Sequence, residues 1–103
     1  MDERPRYMIS VAAEIVGMHP QTLRIYEQKG LVRPKRTPGN TRLYSERDLE
    51  RLRLIQGLTT EFGLNLAGVE AVLRLRDEVQ KVHKHYRREL VLYDPRKLPA
   101  PRR

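Results

Sequence analysis

Residues 9–32 read ISVAAEIVGMHPQTLRIYEQKGLV, and no other stretch limits the fold of this chain as strongly. Two short helical periods lie either side of a break. Ser10 is placed to cap a first helix whose apolar face is Val11, Ala12, Ile15 and Val16. Gly17 ends it, because glycine takes the positive φ of a sharp turn without a steric penalty. Pro20 falls where a second helix starts, since the first helical residue has no N–H to satisfy. Leu23 anchors that helix inward, while Gln21, Thr22, Arg24 and Tyr26 lie elsewhere on its surface and Lys29-Gly30 closes it. A small helix, a glycine turn and a second helix rich in hydrogen-bonding side chains form a helix-turn-helix. A plain helical hairpin would share the turn but not the flanks.

Those flanks are basic. Leu31-Val32 with Arg33-Pro34 reads as an extended segment, Lys35-Arg36-Thr37-Pro38-Gly39-Asn40 as a turn-forming tip, and Thr41-Arg42-Leu43-Tyr44 as a returning strand. This is the pattern of a β-hairpin wing. Residues 19–44 carry six Lys/Arg (Arg24, Lys29, Arg33, Lys35, Arg36, Arg42) against one acid, Glu27, where an ordinary solvated surface mixes the signs. Before this unit, MDERPR is charged and expected to fray, with Tyr7 and Met8 packing beneath the first helix.

After the wing, Ser45 and Asp48 form a capping-box signal for a helix with the stripe Leu49, Leu52, Ile55 and Leu58, widened by Leu54 and Phe62. Gly57 within it suggests a close helix crossing, and Gly63 ends the helix. Asn65 is placed to cap a further helix bearing Leu66, Val69, Val72 and Leu73. A second start signal, Asp77 with Gln80, predicts a break near residues 75–77 and a last helix beyond it. There Val79, Val82, Tyr86 and then Glu89 or Leu90 recur at three- and four-residue steps, a coiled-coil seam for a second copy of the chain. The expected division is residues 7–75 as the DNA-binding domain, 76–93 as the dimerisation helix, and 94–103 as a basic, disordered tail.

Charge narrows the function. A net charge of +8 in 103 residues points to a polyanionic partner, nucleic acid before an anionic membrane surface. No apolar run approaches the roughly 20 residues that span a bilayer, and no signal peptide opens the chain, so a cytoplasmic protein is expected. The absence of cysteine removes thiolate metal sites, disulfides and thiol redox sensing, and His83 and His85 sit in a charged helical run that suits solvated histidine better than a metal pair. No nucleophile–base constellation or paired carboxylates mark an enzyme. No metal, cofactor or small-molecule effector is expected.

A helix in the major groove must offer donors and acceptors to base edges, with charge and hydroxyls for the flanking phosphates. Gln21 suits adenine and Arg24 guanine, while Thr22, His19 and the Tyr26 hydroxyl suit phosphate or a thymine methyl. The wing offers Lys35, Arg36, Asn40, Thr41, Arg42 and Tyr44. The other reading is a non-specific architectural or surface-binding protein whose basic residues take any polyanion.

The pattern Ser10, Ala12-Ala13, Val16-Gly17, His19, Leu23-Arg24, Tyr26-Glu27, Gly30-Leu31-Val32 resembles the N-terminal signature of MerR-family regulators, and Arg42-Leu43-Tyr44-Ser45 fits its continuation. YMISVAAEIVGMHPQTLRIYEQKGLV and GLNLAGVEAVL are similar to the HspR-type heat-shock repressors within that family. The resemblance implies a mainly α fold, a winged helix-turn-helix joined as a homodimer through an antiparallel coiled coil. It implies repression of chaperone genes from an inverted-repeat DNA operator, with the DnaK chaperone as co-repressor. The apolar run Leu90-Val91-Leu92-Tyr93, between Arg87-Arg88 and Arg96-Lys97, is the candidate chaperone-docking segment.

Overall fold

Helix α1 (Ile9–Val16) starts directly from a two-residue strand, β1 (Tyr7–Met8), in the computed structural model, which describes residues 2–91 and, for 86–91, the backbone alone. Helix α2 (Pro20–Gln28), strands β2 (Lys35–Arg36) and β3 (Arg42–Tyr44), and helices α3 (Glu46–Thr60) and α4 (Leu66–Val91) follow in order. Met8, not Ser10, precedes the first helical residue, and it provides no side-chain cap. Met8 is paired with Leu43 in the sheet, so the helix begins as soon as the chain leaves the strand and Ser10 lies inside its first turn.

Both short helices end in the same way. Gly17 has φ 69°, and the Gly17 and Met18 N–H groups donate to the Glu14 and Ala13 carbonyls. Gly30 has φ 74°, with the Gly30 and Leu31 N–H groups on the Glu27 and Tyr26 carbonyls. Each is a Schellman closure, in which a left-handed residue turns the chain and satisfies carbonyls that would otherwise be unpaired. Between them Pro20 opens α2, and the His19 Nδ1 accepts the Gln21 N–H at 3.0 Å.

The core of the winged unit is Ala12, Ala13, Val16, Leu23, Tyr26, Leu31, Val32, Tyr44, Leu49, Leu52, Ile55 and Val69, all buried. α1 turns Ala12, Ala13 and Val16 inward; Val11 and Ile15, expected on that face, are both exposed. The adjacent alanines lack the bulk to hold α1 away from its neighbours, and the stripe is rotated accordingly. Phe62 is 72% exposed and does not widen the α3 stripe. Among the described residues nothing beyond the local helix backbone lies within 4 Å of a Cβ placed on Gly57, so none of them makes a close helix crossing there.

The sheet has the order β1-β3-β2, both pairs antiparallel, with Tyr7 opposite Tyr44 and Arg36 opposite Arg42. The β2–β3 hairpin is the wing. Its turn puts the Asn40 N–H on the Thr37 carbonyl at 2.8 Å and Asn40 at φ 67°, a left-handed residue after a proline-led turn. β1 is a third strand, so Tyr7 and Met8 are hydrogen-bonded into the sheet and do not merely pack beneath α1. The residues before them are tied down too. The Arg47 N–H, in the first turn of α3, donates to the Asp2 carbonyl at 3.1 Å, Arg47 pairs with Glu3, and the Tyr7 hydroxyl donates to Glu46. Arg4 and Arg6 flank the Asp2 carboxylate, whose pKa is lowered to about 2 by hydrogen bonds from Arg4 and the charges of Arg4 and Arg6.

The Ser45–Asp48 capping box forms as the sequence predicts, with the Ser45 Oγ accepting the Asp48 N–H at 3.1 Å and the Asp48 carboxylate the Ser45 N–H at 2.9 Å. Asn65 also caps, its Oδ1 accepting the Gly68 N–H at 2.9 Å. α4 runs without the predicted break near 75–77. The Asp77–Gln80 signal lacks the glycine or proline that would stop a helix, and Leu, Arg and Glu around it are good helix formers. The chain divides into two compact units, one through Glu70 and one from Ala71 onward.

Candidate nucleic-acid interface

α2 presents His19, Gln21, Thr22 and Arg24 on its outer side. Gln21 and His19 are exposed, Thr22 and Arg24 half-buried. The Arg24 Nη1 donates to the Gln21 Oε1 at 3.3 Å, which holds the two side chains together three residues apart on one face. Because the His19 Nδ1 is the cap acceptor of α2, a neutral His19 carries its proton on Nε2, the nitrogen left to donate outward.

Two of the predicted contact residues are inside instead. Tyr44 is fully buried, so it belongs to the core and not to the wing surface. It lies opposite Tyr7 in the centre strand, and the alternation of side chains along β3 sends it inward. Its hydroxyl has no hydrogen-bond partner among the described residues, and burial pushes its pKa up to about 12. Tyr26 is 8% exposed, on the inner side of α2 with Leu23, three residues away on one helix face. Burial raises its pKa, and the ring serves packing.

The wing brings Lys35, Arg36, Asn40 and Thr41 to the surface, with Arg42 half-buried at its base. Arg36 and Arg42 do not stand free. The Arg36 Nη2 donates to the Glu27 Oε1 at 2.7 Å, and the Arg42 Nε donates to the Glu27 Oε2. The Arg36 Nη1 reaches the Asn40 carbonyl at 3.2 Å and the Asn40 Oδ1 at 3.3 Å. Burial alone would raise the Glu27 pKa, but the hydrogen bonds from Arg42 and Arg36 outweigh it and hold the carboxyl below its usual range. Glu27 is thus the link between α2 and the wing. The sequence contains the signal as the lone acid among six cations, though not the pairing.

On α4, Val79 and Val82 are 58% and 61% exposed, and Leu75, four residues before Val79, is 67% exposed. Tyr86 and Leu90 fall where the backbone alone is described, as does Val91; Leu92, Tyr93 and residues 94–103 lie outside the described residues. Among the described residues no group of three His, Asp or Glu could hold a metal ion, and no helix is long and apolar enough to cross a membrane.

The arrangement has close counterparts. The family model of MerR HTH family regulatory proteins matches residues 7–75. The Streptomyces coelicolor protein that carries the name heat shock protein HspR is 40% identical, over 89% of this chain and 78% of its own length. The HTH-type transcriptional regulator GlnR of Bacillus anthracis is 36% identical, over 71% of this chain and 56% of its own. Among solved structures, HiNmlR, a MerR family regulator lacking the sensor domain and bound to promoter DNA, matches with a TM-score of 0.63 at 25% identity, over 82% of this chain and 67% of that one. A MerR family transcriptional regulator from Bacillus cereus matches at 0.63 and 30%, over 84% and 66%. With its helix-turn-helix, its wing and a family match across two thirds of its length, this chain belongs to the MerR family of transcriptional regulators, which are not enzymes.

Proposed function

We propose that this protein is a repressor of chaperone genes that binds an inverted-repeat DNA operator as a homodimer. The observation that carries the DNA reading is the joined surface of α2 and the wing, six cations and one acid on elements locked together by Glu27. α2 enters the major groove with Gln21 and Arg24 at base edges and Thr22 and His19 at phosphates, while Lys35, Asn40 and Thr41 on the wing meet the backbone alongside. The counterpart bound to promoter DNA supports this use of the fold. The 40% identical relative named for heat shock supports the choice of genes.

The exposed seam Val79 and Val82, continued in sequence by Tyr86 and Leu90, joins two copies as a coiled coil so that both half-sites are read at once. A DnaK-type chaperone acts as co-repressor in the cytoplasm. It takes the basic-flanked apolar segment Leu90-Val91-Leu92-Tyr93 and strengthens operator binding when unfolded protein does not occupy it. Footprinting on DNA upstream of the protein's own operon should show two protected half-sites, with protection reached at lower protein concentration when chaperone is added. Leu92→Ser with Tyr93→Ser should remove the chaperone's effect and leave chaperone-free binding intact. No protected site in chaperone-operon DNA overturns the choice of genes.

A further inference from the structure

We propose that Glu27 is a specificity-determining residue that withholds two guanidinium charges from non-cognate DNA while fixing the wing for the cognate site; this rests on the DNA-binding reading above. Glu27 is the one acid within residues 19–44. Each of its oxygens takes a different arginine, Oε1 the Arg36 Nη2 at 2.7 Å and Oε2 the Arg42 Nε. The side chains of Glu27 and Arg42 are 18% and 26% exposed and that of Arg36 is 36% exposed, so a half-buried carboxylate is the centre of a three-member network whose outer member, Arg36, is at the surface. Arg36 is further engaged through Nη1 with the Asn40 carbonyl at the turn. By contrast, Lys29, Arg33 and Lys35 make no ion pair with any described residue.

The patch therefore holds two kinds of cation. Lys29, Arg33 and Lys35 are available to any phosphate. Arg36 and Arg42 meet a phosphate only by leaving a carboxylate that already satisfies them. Non-specific binding is set by how many phosphates a protein neutralises, each adding about 0.9 to the salt slope on duplex DNA. Tethering two arginines lowers that term. The same tether holds the wing at one distance from α2, which matters only where base contacts and backbone contacts must be made together. One carboxylate thus weakens binding to random DNA and supports binding to the operator, and both effects widen the ratio between them.

The test is the salt dependence of binding to a random duplex and to the operator duplex, with each variant's fold checked by thermal melting. Glu27→Gln should tighten random-DNA binding by on the order of tenfold and steepen its slope by about 1–2, while operator binding gains less or falls. Glu27→Asp, which keeps the charge, should restore a slope near that of the native protein. Arg36→Gln leaves the Glu27–Arg42 pair in place and decides the matter if Glu27→Gln does not fold: a tethered Arg36 predicts an unchanged random-DNA slope. A slope unmoved by Glu27→Gln, or lowered by about 0.9 by Arg36→Gln, overturns the proposal. If the native protein binds neither duplex, the DNA-binding reading itself fails; if it binds both and the variants behave like it, only the role of Glu27 does.

Discussion

Tyr44 shows how much one residue's surroundings decide. It is fully buried, opposite Tyr7 in the centre strand, and its hydroxyl has no partner among the described residues. A buried polar group without a partner costs about 1–3 kcal/mol, and replacing it with an apolar group of the same shape is neutral or better. Tyr44→Phe should therefore leave thermal stability unchanged or raise it; a loss above about 1 kcal/mol would mean that the hydroxyl is satisfied after all. Arg24 is the opposite case, half-buried, on the outer side of α2, and held by the neutral Gln21 amide. Arg24→Ala should weaken operator binding by about 1–3 kcal/mol and relax preference at one position per half-site. Equal losses on operator and random DNA would assign it to phosphate instead. Residue types alone distinguish these cases poorly. Tyr26 and Tyr44 have hydroxyls that suit DNA, and only the packing of α2 and β3 shows that both rings face inward.

At the scale of elements, what is legible in the sequence is what neighbouring residues decide among themselves. The glycine closure of α1, Pro20 at the start of α2, the Ser45–Asp48 box and the Asn65 cap each involve residues within a few positions, and all form. What depends on distant partners is hidden. β1 exists because Tyr7 and Met8 meet Tyr44 and Leu43, more than thirty positions on, and two residues carry no strand period of their own. The docking of Asp2 and Glu3 onto the first turn of α3 is equally remote in sequence, and the Glu27 bridge spans nine positions to Arg36 and fifteen to Arg42. The break predicted in α4 failed for a different reason, a start signal with no stop before it. α4 also carries the element-scale prediction. Removing the chain from Asp77 onward should leave the winged unit folded, since its core ends at Val69, but monomeric, because Val79 and Val82 leave with the seam. Binding to a two-half-site operator should then fall steeply as the sites cease to reinforce each other. A truncated form that still sediments as a dimer would place the interface elsewhere.

For the whole molecule, two groups bound the pH range, the half-buried Glu27 and the buried Tyr44. Glu27 has its native pKa below the unfolded value, so its contribution is complete above the ordinary carboxylate range and fades as pH falls through the native value. Acid should loosen the wing, and Glu27→Gln should flatten the acid limb of a melting-temperature profile; an identical limb would show that Glu27 does not contribute to it. Tyr44 acts at the other end. Its pKa is raised from 10.0 to about 12, so stability is full below pH 10 and is lost as pH rises between those values. Between these limits lies a molecule with net charge +8, and charge of that size alone would bind any duplex. The central claim is that α2 and the wing read sequence as well as charge. It is tested most directly by the ratio of operator to random-duplex affinity for the native protein, measured across a range of stated salt concentrations. The account predicts a ratio of about 10³ or more near physiological salt, with the random-duplex affinity falling steeply as salt rises. A ratio near one at every salt concentration would contradict it.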